Sequence, residues 1–168
     1  MSCVRSVFSL LLTTAFLLTG HGIHMTFLPL MASDIGLSQT VIGFSGSAYF
    51  AGFISGAMVT PHIIAKVGHI RSFTTLMAVF LCCFQVLPMT DNGGVWIFIR
   101  FVLGAVMCGA YTVVESWISD QADARSHGRV LSIYTVIVLG AMALGQGILG
   151  LTYGQATQVF AVISILIL

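Results

Sequence analysis

The stretch Asn92-GGVWIFIRFVLGAVMCGAYTVVESWI-Ser119 carries only two charged residues, Arg100 and Glu115. An apolar run of about 18 residues or more can cross a bilayer as a helix, rising ~1.5 Å per residue. Arg100 does not prevent insertion. A central Arg costs about 2.5 to 3.5 kcal/mol, and each Leu, Ile, Phe or Val returns about 0.3 to 0.6. Eleven such residues lie between Val95 and Ile118. Around this segment, Ser6–Ser33, Ile35–Ala65, Ser72–Thr90 and Val130–Leu168 contain no Asp, Glu, Lys or Arg. The chain is 7% charged and 58% hydrophobic, where a soluble domain is about 25% charged. The expected fold is all-α: a polytopic transmembrane helix bundle over residues 1–168 with no soluble domain.

The breaks between runs set the expected topology. Helices are predicted near Val7–Met31, Thr40–Ile64, Ser72–Met89, Val95–Ile118 and Leu131–Thr152, with a sixth from about Gln158. Arg5, Lys66, Arg71, Arg125 and Arg129 then fall on one side, and Asp34 and Asp91 on the other with no basic residue. Short cytoplasmic loops collect Lys and Arg, so the N-terminus is expected in the cytoplasm. Trp96 and Trp117 mark the two ends of the fourth span, where aromatic belts lie. The sixth run, Val159–Leu168, reaches about 15 Å, half of the ~30 Å hydrocarbon core. We therefore expect a partial sequence or a truncated gene product, cut within helix six. No convincing repeat relates helices one to three with four to six.

Several function classes find no support. A net charge of +1 without a basic tract gives no reason to expect nucleic acid. The first apolar run is too long for a signal peptide and lacks a clear small-x-small cleavage site. Cys3, Cys82, Cys83 and Cys108 have no metal-ligand spacing, and three of them lie inside helices, where Cys packs as a small apolar residue. C-x-x-C, H-E-x-x-H, G-x-S-x-G and phosphate-loop patterns do not occur, so no enzyme, metal site or cofactor is expected.

The polar residues inside spans are the functional candidates. On helix four, Arg100, Gly104, Met107, Tyr111, Glu115 and Ile118 fall within about 80° of one another at about 100° per residue. An intramembrane guanidinium should point into the protein or a watery cavity, paired with an acid or with backbone carbonyls. The alternative is an Arg100 that snorkels to the headgroups. Glu115, near the cytoplasmic end, suits a structural pair with a loop Arg as well as a transport role. Helix one places Thr14, Leu17, His21 and His24 on one face, where the imidazoles either carry protons or contact substrate, or are merely solvated near the outer interface. Helix two has a face of Ser45, Tyr49, Gly52, Gly56 and Thr60, and Gly52-x-x-x-Gly56 lets another backbone approach closely. Tyr49 is also a cavity candidate. In helix five, Ala141-x-x-x-Gly145 and Ala143-x-x-x-Gly147 suit close packing, and Gln146 is its one amide side chain.

Gly56-AMVTPHIIA-Lys66-Val67-Gly68-HI-Arg71 resembles the loop between helices two and three of the major facilitator superfamily, matching at Gly56, Lys66, Gly68 and Arg71. Ala65 stands where that family's acid usually is, and Pro61 where a second Gly is common. Arg100-FVL-Gly104 resembles the family's Arg-x-x-x-Gly motif in helix four. VVESWISDQADARSHGRVLSIY, with Glu115, Ser116, Gly128 and Arg129, is similar to the YcaD-like branch, as is GSAYFAGFISG in helix two. In helix five, Gly140 and Gly145 match only faintly the Gly-Pro antiporter motif, and no Pro is present. The resemblance covers the whole chain and corresponds to the N-terminal six-helix half of a twelve-helix transporter.

The resemblance implies alternating access, with two six-helix halves rocking about a central site. Helices one and four would line that site, and the basic loop would help close its cytoplasmic side. The Ala at position 65 weakens the case for a charge-relay gate there. The expected protein is therefore a secondary active transporter of the inner or plasma membrane. It would carry a small solute, with H+ a candidate coupling ion, and would need the missing C-terminal six-helix half. Arg100 and Gly104 would organise helix four. His21, His24, Tyr49, Tyr111 and Gln146, with Glu115, are the pathway candidates. Lys66, Gly68 and Arg71 form the gate loop, with Arg129 a further motif position. The rivals are a non-transporting remnant or half-subunit, and an intramembrane enzyme using the two His and the two intramembrane charges. Substrate, coupling ion and direction are not readable from these residues.

Overall fold

A computed structural model describes residues 2–121, 127–152 and 156–167. Arg125 lies outside these, as do the side chains of Cys3, Arg5 and Arg129. The helices are α1 (Ser2–Asp34), α2 (Gln39–Val67), α3 (His69–Val86), a 3₁₀ turn at Leu87–Met89, α4 (Gly93–Gln121), α5 (His127–Thr152) and α6 (Ala156–Ile167), with no strand among the described residues. Five segments are long and apolar enough to cross a membrane: Leu11–Asp34, Gln39–Val67, His69–Met89, Gly93–Asp120 and Val130–Leu151. Most helices run a few residues beyond the expected limits. The uncharged runs mark the hydrocarbon-compatible part, whereas capping by polar residues falls outside it. α2, at 29 residues, is about 43 Å long, more than the ~30 Å core.

The chain divides into two compact units. One comprises Leu30–Glu115, the other Met1–Pro29 with Ser116–Leu168. In the Leu30–Glu115 unit, α2 starts on Ser38, whose Oγ accepts from the Val41 N–H at 3.3 Å. It continues through Pro61, which lacks the N–H of an ordinary helical residue, and stops at Gly68. That residue has φ 81° and ψ 170°, a region essentially reserved for glycine. Gly68 N–H donates to the Ile64 carbonyl at 2.9 Å, and its own carbonyl accepts from Ser72 Oγ at 2.7 Å. One residue thus ends α2 and starts α3. α3 buries Ser72, Met77, Phe80 and Phe84, with the last two rings stacked 6.0 Å apart. Asn92 caps α4, its Oδ1 accepting from the Gly94 and Val95 N–H groups at 2.9 and 3.2 Å.

α2 and α4 are packed backbone to backbone. A Cβ on Gly52 would collide with the Phe101 carbonyl, one on Gly56 with Ala105, and one on Gly104 with the Tyr49 carbonyl. Gly109 instead abuts side chains, the Thr60 hydroxyl of α2 and the Leu76 methyls of α3. The buried residues of α2 are Ser45, Tyr49, Gly52, Gly56 and Thr60, the face that helical periodicity singles out. Trp96 corrects an expectation. It sits at the end of the fourth span but is 1% exposed, and its Nε1–H donates to the Thr90 carbonyl at 2.9 Å. The ring packs inside the protein instead of facing lipid, because the tight turn before α4 offers its indole N–H a partner.

In the other unit, α1 and α5 cross at small residues. A Cβ on Gly22 would overlap Met142, and one on Gly145 would overlap the Thr19 carbonyl. Ala141 is buried here, with Leu17, Leu18, Ile23, Leu28 and Leu149. Of the two small-residue pairs expected to pack closely in α5, only Ala141 and Gly145 do so. Ala143 and Gly147 are exposed, and nothing lies near a Cβ built on Gly140, Gly147 or Gly150. The two pairs are two residues out of phase, about 200° around a helix, so one crossing cannot cover both. α6 packs on α5, with Val159 and Ile163 buried.

Candidate functional site

Arg100 is the centre of the polar site in the Leu30–Glu115 unit. It is 3% exposed, which rules out an arginine that reaches the headgroups. Its guanidinium carbon lies 4.7 Å from the centroid of the Tyr49 ring. The expected partner, an acid or a carbonyl, is replaced by an aromatic face. The backbone explains the substitution. Gly104, one turn after Arg100, lets α4 close onto the carbonyl of Tyr49 itself, which brings the phenol ring to the guanidinium.

This partner is incomplete. Arg100 Nη1 is buried and has no hydrogen-bond partner among the described residues. A desolvated cation–π contact contributes about 2 kcal/mol, whereas an unsatisfied buried donor costs about 1–3, and more when charged. The ring orients the guanidinium without satisfying it. Glu115 does not make up the difference, being fifteen residues further along α4, about 22 Å at ~1.5 Å per residue, and exposed. Tyr111, half-buried, lies between them, its ring 6.2 Å from Phe53, and Phe53 lies 6.4 Å from Tyr49. The three rings form a row between α2 and α4.

His21 and His24 form the polar pair of the other unit. They are 5% and 0% exposed, and their rings stack with centroids 5.7 Å apart and planes at 26°. The solvated reading therefore fails: the i, i+3 spacing turns both imidazoles into the packed face of α1 with Thr14 and Leu17, which are also buried. Each neutral ring offers one donor and one acceptor. Among the described residues, no three His, Cys, Asp or Glu lie together as metal ligands would.

The remaining candidates are scattered. Lys66, Gly68 and Arg71 are exposed around the α2–α3 junction. Gly56 belongs to the α2–α4 contact and Gly104 to both that contact and the Arg100 site. Gln146 is exposed on α5, beside a shallow apolar concavity lined by Gly140, Ala143, Leu144 and Gly147. Arg129 is in the first turn of α5. Sequence reasoning missed His62, which shares a groove with Met58, Val59, Ile63 and Lys66. Its position four residues before Lys66, hence on the same helix face, was the available signal.

Residues 10–168 match the sequence profile of the Major Facilitator Superfamily. The chain belongs to this family of membrane transporters. It is 29% identical over 147 residues to the uncharacterized MFS-type transporter YcaD of Escherichia coli K12, and equally to that of Escherichia coli O9:H4 strain HS. Against the YcaD of Escherichia coli O139:H28 it is 29% identical over 138 residues. The K12 match covers 87% of this chain and 38% of the relative, so the chain spans well under half the length of these relatives. No solved structure matches it significantly.

Proposed function

We propose that this chain is the N-terminal half of a secondary active transporter that moves a small solute by alternating access. Its N-terminus would face the cytoplasm from the inner or plasma membrane. Family membership and five helices able to cross a membrane support the transport class. The observation that carries the reading further is Arg100, a cation held deep in apolar surroundings and left one hydrogen bond short. Ionisable groups kept inside membranes at such cost mark substrate and ion pathways. On this reading, the glycine-packed α2–α4 pair moves as a rigid body, because helices packed through backbone contacts have little room to slide. The Arg100 site would travel with it as the protein rocks against its other half. The His21–His24 pair supplies a second polar group that can exchange a proton, making H+ the coupling ion we favour.

Uptake by the complete transporter in proteoliposomes tests this reading. Arg100→Leu should abolish uptake while membrane insertion stays intact or improves, since Leu inserts more favourably than Arg by about 3 kcal/mol. Near-wild-type uptake at equal membrane levels would reject a pathway role for Arg100.

A further inference from the structure

We infer that the Arg100 site is an anion site, built to take a small monocarboxylate, and that the transported solute carries such a group. The inference rests on the transport reading above and adds the substrate's chemical class. Three observations lead to it. Among the described residues the guanidinium has no acidic partner: its aromatic contact is the face of Tyr49, and Glu115 is about 22 Å away along α4. The missing partner must accept a hydrogen bond, since Nη1 is a buried donor with none, and a guanidinium has no acceptor to offer. Finally, the Tyr49 ring lies 4.7 Å from the guanidinium carbon on one side, so a ligand has to meet the N–H groups away from that ring. Edge-on approach to a planar fork is the geometry in which carboxylates bind arginine, with charge-assisted hydrogen bonds roughly twice as strong as neutral ones.

The charge count selects a monoanion. A single guanidinium neutralises one negative charge, and a dianion such as phosphate would leave an excess charge in a low-dielectric site. A neutral solute would supply an acceptor but leave the buried cation uncompensated. The carboxylate has two possible sources, a free solute or an Asp or Glu side chain from the remainder of the complete protein. The burial of Nη1 favours the solute. Nη1 is already covered by residues of this chain, so docking another surface onto the chain does not reach it. A group that arrives when the site opens and leaves when it opens again does.

The test uses the purified complete transporter in nanodiscs and measures thermal unfolding against acetate, lactate and benzoate. Acetamide, lactamide and benzamide serve as neutral matches, with ionic strength held by sodium chloride. At least one carboxylate should raise the melting temperature by several degrees while its amide does not. The shift should vanish in Arg100→Gln. In Arg100→Lys, which keeps the charge and protects against loss of fold, half-saturation should need about tenfold more ligand or higher, as one charge-assisted hydrogen bond is lost. Absence of a shift with all three acids would overturn the anion site, as would a shift that persists in Arg100→Gln. The same absence, with Arg100→Gln strongly destabilised, would assign the partner to a side chain of the remaining half and also reject the proposal. Uptake of the same acids is measured separately. Binding without uptake would keep the anion site and overturn transport, and uptake of a neutral or cationic solute without any carboxylate shift would do the reverse.

Discussion

At the scale of single residues, Arg100 and Gly104 form one device. Gly104 admits the Tyr49 carbonyl, and the resulting closeness sets the Tyr49 ring over the guanidinium. Any side chain at position 104 must push the two helices apart. Gly104→Val should therefore lower the amount of folded protein, with an overpacking cost of about 1–3 kcal/mol or more, read as a reduced melting temperature in detergent. Retention of the wild-type melting temperature would mean that the α2–α4 crossing is looser than described. At Arg100 itself, Lys should restore uptake only in part, because it keeps the charge but loses the planar five-donor fork. Full activity of Arg100→Lys would reduce the role of the site to that of a point charge.

At the scale of elements, the α2–α3 junction depends on Gly68. Nothing lies near a Cβ built there, so the constraint is torsional and not steric. A residue with a side chain in this region of φ and ψ is strained by about 1–3 kcal/mol. Gly68→Leu should reduce transport by the complete protein far more than its expression, since the strain is local to an exposed turn and the core is untouched. Uptake equal to wild type would make the junction a mere connector. The helices themselves are robust to local substitution on their outer faces, where α2 exposes Phe44, Phe50, Ile54 and Met58. In lipid these are favourable positions, not defects.

At the scale of the whole molecule, orientation follows from charge. Single cysteines at Lys66 and Arg125, in a Cys-free background, should be shielded from a membrane-impermeant thiol reagent in intact cells. Those at Asp34 and Asp91 should be labelled. The reverse pattern would invert the proposed topology, whose motive is the placement of five basic residues on one side and none on the other. The half-transporter reading likewise makes an expectation about the gene. The frame downstream of Leu168 should encode six further helices, and a stop codon there in the genomic sequence would favour the remnant or half-subunit instead.

The helix count, the packed face of α2 and the α1 face with His21 and His24 were legible in the residues alone. Bilayer thickness and the helical period act on every span independently of its neighbours, so local sequence carries the information. The turn at Gly68 was legible for the same reason, being a matter of one residue's torsions. Tertiary structure decided what each polar group meets. Arg100 was placed on the right face, but whether that face held an acid, a carbonyl or a ring depended on how closely α2 and α4 approach. Trp96 was placed at a span's end, but its burial depended on the turn at Thr90. Of two similar small-residue pairs in α5, one is packed and one is open, because a crossing uses one side of a helix and periodicity does not say which.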